Sequence, residues 1–300
     1  MAISGLWAAG KKRCVLHLLF ASGSWYNCYG KELYSWIMDV SVPQFKQTLG
    51  PLGLDVPPMG ETDFEELVAE YRARLTPGQG PIHLAGMTAM AECRAALMAA
   101  RETDCFPVWV SWVCDEDGES PTRVHMLAAL FVSEGLRAAA FGIDCPEEAA
   151  QERLAELAQY AHVPLFRVKE GEAVPFPYPR RPDDPDVIPC ATGTAPCFVT
   201  RTVDVGEEIG CGPDLLEDII AAEDNPVGAV KIAIHEEDDV EIFAQNQYAV
   251  REALCLHADV PELLEGALRV YQGRAFYDGT GGLEQAELER LSRLYGLIVL

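Results

Sequence analysis

Several polar residues stand where they could do chemistry, and each also has an ordinary structural explanation. Cys145 follows an apolar segment typical of a β-strand, and parallel α/β proteins carry catalytic groups on the loops after strands. A buried or loop thiol is the favoured explanation. The run HEEDD at residues 235–239, followed by Glu241, could hold a hard cation, but acids also favour the first turn of a helix. The glycine-rich residues 279–282 could form an anion-binding nest, although a turn is the more common use.

The short motifs of several enzyme classes do not occur in the chain. The sequence contains no GxGxxG, P-loop, GxSxG or HExxH pattern and no CxxC pair. It therefore gives no indication of dinucleotide binding, nucleoside triphosphate binding, serine hydrolysis or zinc proteolysis.

Charge and cysteine content limit the partners and the compartment. The net charge of −24 argues against nucleic acid and anionic membrane surfaces, because both attract clustered Lys and Arg. Ten cysteines scattered over 300 residues are typical of cytosolic thiols rather than of a disulfide framework. No apolar run approaches the ~20 residues that span a bilayer. We therefore expect a cytoplasmic protein whose partner is a small-molecule substrate or another protein.

The N-terminal segment leaves one alternative open. Residues 11–13 are basic and precede the apolar run of residues 15–21, an order that loosely resembles a signal peptide. The run is short, contains His17 and lacks a clean small-x-small cleavage site, so a core strand is the favoured prediction. Residues 1–48 are rich in Trp and Tyr but carry no motif.

From residue 60 onward, predicted helices and strands alternate. Thr62 and Glu65 form a capping-box pattern at the start of a helix that ends near residues 76–78. The alternation predicts an α/β fold, with a parallel sheet and helices outside it. Strands are predicted at residues 82–84, 108–113, 138–143 and 164–168, with helices at 88–101, 124–134 and 147–161.

A Pro-, Arg- and Asp-rich stretch at residues 175–186 interrupts this pattern and predicts a linker. The chain then continues to a final strand, whereas a helix follows the last strand of an ordinary (β/α)8 barrel. Further strands are predicted at 197–203, 230–234, 254–257, 275–277 and 297–300, and helices at 213–222, 239–251, 261–271 and 283–294. The predicted organisation is an unassigned segment 1–48, a domain 49–175, a linker 176–186 and a second α/β domain 187–300.

The first domain resembles the zinc-dependent homocysteine S-methyltransferase module, which also opens modular methionine synthases. The shared order is a strand and helix, then VWVSWV at residues 108–113, the turn DEDG at 115–118 and FGIDC at 141–145. In that family the cysteine of the last motif is one of three thiolates on zinc, which keeps the homocysteine sulfur deprotonated. The resemblance therefore implies a shortened TIM-barrel-like domain with Cys145 as a zinc ligand.

The same resemblance shows where the family chemistry has changed. The family's other two ligands form an adjacent cysteine pair, which this chain lacks, and the nearest match is Cys211 within residues 209–213. Ala85 and Gly86 replace a Glu-Thr pair whose carboxylate meets the homocysteine amino group. Its loss removes a charge-assisted hydrogen bond of about 1.5–3 kcal/mol. The family loop PNAG-P corresponds to EGEAVP at residues 170–175.

The second domain resembles part of the pterin-binding domain that follows this module in methionine synthases. The similarity rests on residues 253–282. The family Asp and Asn that help to hold the pterin ring correspond to His257 and Asp278, so both are substituted. A carboxylate at position 278 can still meet the hydrogen-bonding edge of a pterin. The resemblance therefore implies methylfolate as a ligand at His257 and Asp278.

Together these observations predict a homocysteine S-methyltransferase-like protein with degraded or absent activity. If active, it would transfer a methyl group to a zinc-bound homocysteine thiolate. Two alternatives stay open at this point. One is a non-enzymatic binding or assembly protein that retains the scaffold, and the other is a folate-binding module formed by the second domain.

Overall fold

The computed structural model describes residues 41–52, 64–179, 184, 186–224 and 228–300. The predictions for residues 1–40, which include the apolar run at 15–21, and for Thr62 lie outside the described residues. Those described belong to one compact unit that spans Tyr34–Leu300. The unit contains two sheets of mainly parallel strands joined by helices, so the α/β class predicted from the sequence is confirmed.

The first sheet has six strands in sequence order. All neighbours are parallel except the last pair, which is antiparallel. The strands are β1 (Gln47–Leu49), β2 (Ile82–Met87), β3 (Val108–Val113), β4 (Ala140–Asp144), β5 (Leu165–Lys169) and β6 (Glu172–Phe176). Their connecting helices are α1 (Phe64–Arg74), α2 (Met90–Glu102), α3 (Met126–Gly135) and α4 (Glu147–Leu157). The elements predicted over residues 82–168 are confirmed, with some ends shifted.

Side-chain alternation explains why these helices lie on one face of the sheet. In β3, Val110 and Trp112 belong to the main core, which also contains buried residues from all four helices. Trp109, which directly precedes Val110, packs with Phe166 on the opposite face. Successive residues of a strand point to opposite faces, and right-handed crossovers between strands in sequence order place every helix on the same side. The opposite face of this sheet is therefore free of these helices.

An antiparallel hairpin follows the first sheet along the chain. It consists of β7 (Ile188–Ala191) and β8 (Pro196–Val199). This corrects one prediction, because a strand at residues 197–203 was expected to open the second parallel series. That position is taken by β9 (Val205–Gly210). Its sequence VGEEIG is not apolar, which an edge strand tolerates.

The second sheet has five parallel strands, again in sequence order with β9 at one edge. The others are β10 (Ala229–Ala233), β11 (Leu254–His257), β12 (Phe276–Tyr277) and β13 (Ile298–Val299). Their helices are α5 (Leu215–Glu223), α6 (Glu237–Asn246), α7 (Pro261–Val270) and α8 (Gln285–Tyr295). None of the helices in the described ranges is both long and apolar enough to cross a membrane.

Two arginines of α2 connect the helices of the two sheets. Arg94 of α2 is 1% exposed and donates to the carbonyl oxygens of Leu268 (2.7 Å) and Gly273 (3.1 Å), at the end of α7 and just after it. Arg101, also in α2, donates to the carbonyl oxygen of Leu294 in α8. Cations near the carboxyl ends of helices satisfy carbonyls that lack helical partners. The two helix layers consequently share one apolar core.

Candidate functional site

A cluster of polar side chains lies at the carboxyl ends of the second sheet's strands. Glu208 comes from β9 and Lys231 from β10, His257 ends β11, and Asp278 and Thr280 follow β12. We call these five residues the edge cluster. Lys231 pairs with Glu208 in the β9–β10 register. The carboxyl ends of parallel strands meet at one edge of a sheet, where ligands of open α/β proteins bind.

The apolar pattern of each strand directs the cluster to the helix-free face. In β10, Val230 and Ile232 belong to the main core, so Lys231 points to the opposite face. In β11, Leu254 and Leu256 occupy the same core, and His257 therefore points away from it. The helices and the edge cluster thus lie on opposite sides of this sheet.

Lys231 is a nearly buried cation held by oxygen atoms. The residue is 9% exposed, and its Nζ lies 3.1 Å from Asp278 Oδ2 and 3.5 Å from Glu208 Oε2. It also donates to Thr280 Oγ1 at 2.8 Å. Burial opposes the charged form, but the hydrogen bond and the charge of Asp278 outweigh it and raise the pKa of Lys231. Lys231 is therefore a fixed positive charge in the cluster.

Asp278 is held as a carboxylate by the turn that follows it. Its Oδ1 accepts from Thr280 N at 3.0 Å and from Thr280 Oγ1 at 2.7 Å. Burial raises the pKa of Asp278, but the hydrogen bonds from Thr280 and Lys231 outweigh burial and lower it overall. Gly279 has a φ of 83°, which suits glycine and lets the chain fold back. The glycine-rich residues 279–282 thus form a turn.

The hydrogen bonds around Thr280 place a proton on His257 Nδ1. The hydroxyl of Thr280 has one proton, which goes to Asp278 because an ionised carboxylate can only accept. The 3.0 Å contact between Thr280 Oγ1 and His257 Nδ1 is therefore an N–H donation from the ring. In the neutral ring this leaves the Nε2 lone pair free to accept a proton or a hydrogen bond.

The space beside His257 Nε2 suits a hydrogen-bond donor. Nε2 lies 3.7 Å from Glu208 Oε2 and 3.6 Å from Asp259 Oδ1, too far for direct hydrogen bonds. A lone pair that faces two carboxylates is poorly satisfied unless a proton or a donor group lies between them. The Glu208 side chain is 39% exposed, and its other ion-pair contacts, to Lys231 and His235, are 3.5 and 3.8 Å long. Glu208 and Nε2 are thus the groups most available to a ligand.

A shallow groove lies beside Asp259, which neighbours His257 of the edge cluster. It has a volume of about 520 Å³ and is lined by Asp259, Pro261 and Gly282, among others. Asp259 lies in this groove and beside His257 Nε2. The groove and the edge cluster therefore meet at Asp259.

A second groove lies on the helix-free face of the first sheet and has a volume of about 600 Å³. Its lining includes Ala85, Gly86, Asp144, Gly171 and Glu172. These residues come from the segments 85–86, 141–145 and 170–175, which the family resemblance singled out in the sequence. The three segments therefore meet around one groove, although they are far apart in the sequence.

The lining of this second groove includes an uncharged histidine and serine pair. His83 Nε2 lies 2.9 Å from Ser111 Oγ, which also accepts from Gly86 N at 3.2 Å. Phe45 stacks on the imidazole, and burial lowers the pKa of His83 to about 4. The pair is neutral near pH 7, so it does not replace the missing carboxylate.

Cys145 and Cys211 follow strands of different sheets. The Cys145 thiol hydrogen-bonds with Cys114 after β3, whereas Cys211 follows β9, where burial and the charge of Asp239 raise its pKa to about 12. Within the described ranges, no group of three or more His, Cys, Asp or Glu side chains is arranged to hold a metal ion. The described residues do not fit a three-thiolate zinc centre.

The acidic run at residues 235–239 starts a helix. The Asp239 carboxylate accepts from His235 N at 2.7 Å and from Glu236 N at 3.1 Å, and Glu236 and Asp239 form the capping box of α6. The structural explanation of this run is thus confirmed.

Sequence reasoning found part of the edge cluster. His257 and Asp278 were predicted from the family resemblance, and the structure brings them together through Thr280. Lys231 and Glu208 were missed. A lone lysine inside the apolar strand AVKIA was an available signal, because a charge in a buried strand needs a partner.

Comparisons with known proteins add no family. No protein-family model matches the chain, and no curated protein matches it. One solved structure with similarity is a point mutant of the amide bond synthetase Mcba from Marinactinospora thermotolerans, 13% identical with a TM-score of 0.18. The match covers 69% of this chain and 51% of that chain, so this chain spans about half of its length. Similarity at this level carries no argument about fold or function.

Proposed function

We propose that the protein is a homocysteine S-methyltransferase-like scaffold that binds a pterin-type heterocycle at the edge cluster and has lost useful homocysteine methylation. One observation carries the proposal. His257 and Asp278, the two positions where the family resemblance implies pterin contacts, meet in one cluster through Thr280. The cluster also leaves His257 Nε2 open beside Glu208.

The chemistry of the cluster favours a ligand rich in hydrogen-bond donors. Lys231 faces the carboxylates of Glu208 and Asp278, and Asp259 lies next to His257, so negative charge is in excess. The aminopyrimidinone edge of a pterin presents N–H groups, which Glu208 and His257 Nε2 can accept. A bound methylfolate would supply a methyl group, whereas the residues of this chain bind and orient its ring.

The loss of homocysteine methylation is proposed from the groove of the first sheet. In this proposal the sheet is what remains of a TIM-barrel-like homocysteine module, in a cytoplasmic protein. Ala85 and Gly86 line the groove without a carboxylate, and Cys145 lacks a set of partner thiolates. Homocysteine is mostly the unreactive thiol near pH 7 without such a metal site. Misplacement of its reacting sulfur by about 1 Å costs a further ~100-fold in rate.

Titration of the purified full chain with methyltetrahydrofolate tests the binding proposal. We expect saturable binding that Glu208→Gln and His257→Ala each weaken by about tenfold or more, since a hydrogen bond to a charged group is worth ~1.5–3 kcal/mol. Glu66→Gln, an exposed carboxylate change in α1, is the matched control and should bind like the parent. Equal affinity in all variants, or no saturation, would contradict the proposal.

A methionine-formation assay tests the proposed loss of homocysteine methylation. Homocysteine with S-methylmethionine, or with methylfolate and a corrinoid protein, should give methionine at background rate. Sustained turnover that disappears in Cys145→Ala would restore the enzyme interpretation and overturn the loss of activity.

A further inference from the structure

Two cysteines face each other across the β7–β8 hairpin. Cys190 pairs with Cys197 in the antiparallel register, and both are free thiols in this structure. The segment between them, ATGTAP, makes the turn, in which Thr192 N donates to Ala195 O at 2.9 Å. The hairpin itself therefore holds the two thiols side by side.

The spacing of such a pair suits a disulfide. Directly opposed residues of antiparallel strands have Cα atoms ~4.5–5.5 Å apart. Disulfides join residues whose Cα atoms are ~4.4–6.8 Å apart. The Cβ atoms of such a pair are ~4.5–5.5 Å apart, compared with ~3.5–4.5 Å in a disulfide, so closure needs side-chain rotation and a small approach of the two strands.

The two thiols also differ in a way that suits a nucleophile and its partner. Cys190 is fully buried, whereas Cys197 is partly exposed. The Cys190 thiol donates a hydrogen bond to the Cys197 sulfur, which lowers the pKa of Cys197 and raises that of Cys190. The exposed sulfur therefore has the greater thiolate character, and thiolates are the attacking species.

We propose that Cys190 and Cys197 form a reversible intramolecular disulfide in exchange with a low-molecular-weight disulfide of the glutathione type. The Cys197 thiolate attacks one sulfur of that disulfide, its S–S bond breaks, and one thiolate leaves and takes up a proton. Cys190, once deprotonated, attacks the Cys197 sulfur and expels the second thiolate. The protein loses two electrons and two protons, which the small disulfide gains as two thiols.

The position of the hairpin gives the bond a structural consequence. Cys190 and Val199 pack with Cys255 and Phe276 of the second sheet, and Ala191 exchanges backbone hydrogen bonds with Arg274 (2.7 and 3.3 Å). Arg274 directly precedes the segment that contains β12 and Asp278. Oxidation would therefore cross-link the two strands of the hairpin, which packs on the helix-free face of the second sheet near the edge cluster.

Peptide mapping of the intact chain tests the proposal. The native protein is incubated with oxidised glutathione, quenched in acid, alkylated under denaturing conditions and digested with trypsin. Both cysteines fall in the tryptic peptide 181–201, because no Lys or Arg separates them. We expect this peptide to lose two hydrogen atoms and escape alkylation, and dithiothreitol to restore alkylation at both positions.

The chain contains an internal comparison and a diagnostic variant. Cys114 and Cys145 also touch, but burial raises the pKa of both thiols, so they should stay alkylated at the same oxidant concentration. Cys190→Ser should trap glutathione on Cys197. Alkylation of both Cys190 and Cys197 in the oxidised parent, or two hydrogens lost from Cys114 and Cys145 instead, would overturn the proposal.

Discussion

At the scale of single residues, the edge cluster depends on a buried lysine and the carboxylate that neutralises it. The side chains of Lys231 and Asp278 are 11% and 14% exposed, so little water reaches the ion pair. Removing one partner of a buried pair leaves the other charge poorly compensated. His257 and Asp278 were predictable because a family pattern pointed to them. Glu208 was not, since one of two adjacent glutamates in an edge strand looks like an ordinary solvated residue.

Asp278→Asn should lower the free energy of unfolding by about 1–3 kcal/mol, because it leaves Lys231 without its nearest anion. The double variant Lys231→Met/Asp278→Asn, in which neither charge remains, is compared with the two single variants. The double variant should lose less stability than the sum of the two single changes. Urea denaturation of the parent, the two single variants and the double variant measures the four free energies of unfolding. If the effects of Lys231→Met and Asp278→Asn simply add, the ion pair does not stabilise the fold.

The same pair sets an expected pH dependence. The pKa of Asp278 is lowered on folding, so its contribution is present above the unfolded value of ~3.9 and is lost as pH falls through the folded value. The pKa of Lys231 is raised, so its contribution is lost only as pH rises through its folded value, above ~10.4. The stability gap between the parent and Asp278→Asn should stay constant over pH 5–9 and shrink in acid. A gap that widens in acid would contradict this assignment.

At the scale of elements, the sequence predicted those with a clear apolar period. Helices α2–α4 and strands β2–β5 were found because each has a buried apolar face. The missed strands were β1, β6, β7 and β9. Strand β1 has only three residues, β6 and β7 contain proline, and β9 contains two glycines and two adjacent glutamates. Such segments are strands only because a neighbouring strand pairs with them, which a local pattern does not reveal.

A matched pair of glycine substitutions tests the packing of the first sheet. A Cβ at Gly142 in β4 would lie 2.3 Å from the Phe166 ring, whereas a Cβ at Gly210 in β9 would meet nothing within 4 Å. Gly142→Ala should therefore cost about 1–3 kcal/mol through overpacking, and Gly210→Ala should change stability much less. Thermal unfolding measures both. Equal effects would show that Phe166 moves aside without cost.

At the scale of the whole molecule, the helices of the two sheets are joined through one core. Arg94 donates from α2 to the carbonyl oxygens at the end of α7, and Arg269 of α7 pairs with Glu65 of α1 and Glu102 of α2. The sequence predicted two α/β series divided at residues 176–186. It gave no sign that their helices share a core, because contacts between distant segments leave no local period.

Limited proteolysis tests this arrangement. The first cut should fall within residues 176–186, a Pro- and Asp-rich stretch in which Tyr178 is buried but Pro179, Asp184 and Asp186 are exposed. The two fragments should then co-elute on gel filtration, because Arg94 and the shared core hold the helices together. Arg94→Met is a useful comparison, as it keeps apolar volume but removes both hydrogen bonds. A first cut elsewhere, or fragments that separate at once, would contradict the arrangement.

The central claim is that His257 Nε2 is an open acceptor for a pterin-type ligand, and NMR of isotope-labelled histidine side chains tests it most directly. In the free protein at a pH where the ring is neutral, the His257 signals should show a proton on Nδ1 and none on Nε2. Saturating methyltetrahydrofolate should shift the Nε2 resonance, with no comparable change for His83 in the other sheet. A proton on Nε2 in the free protein, or an unchanged Nε2 resonance with ligand in excess, would contradict the claim.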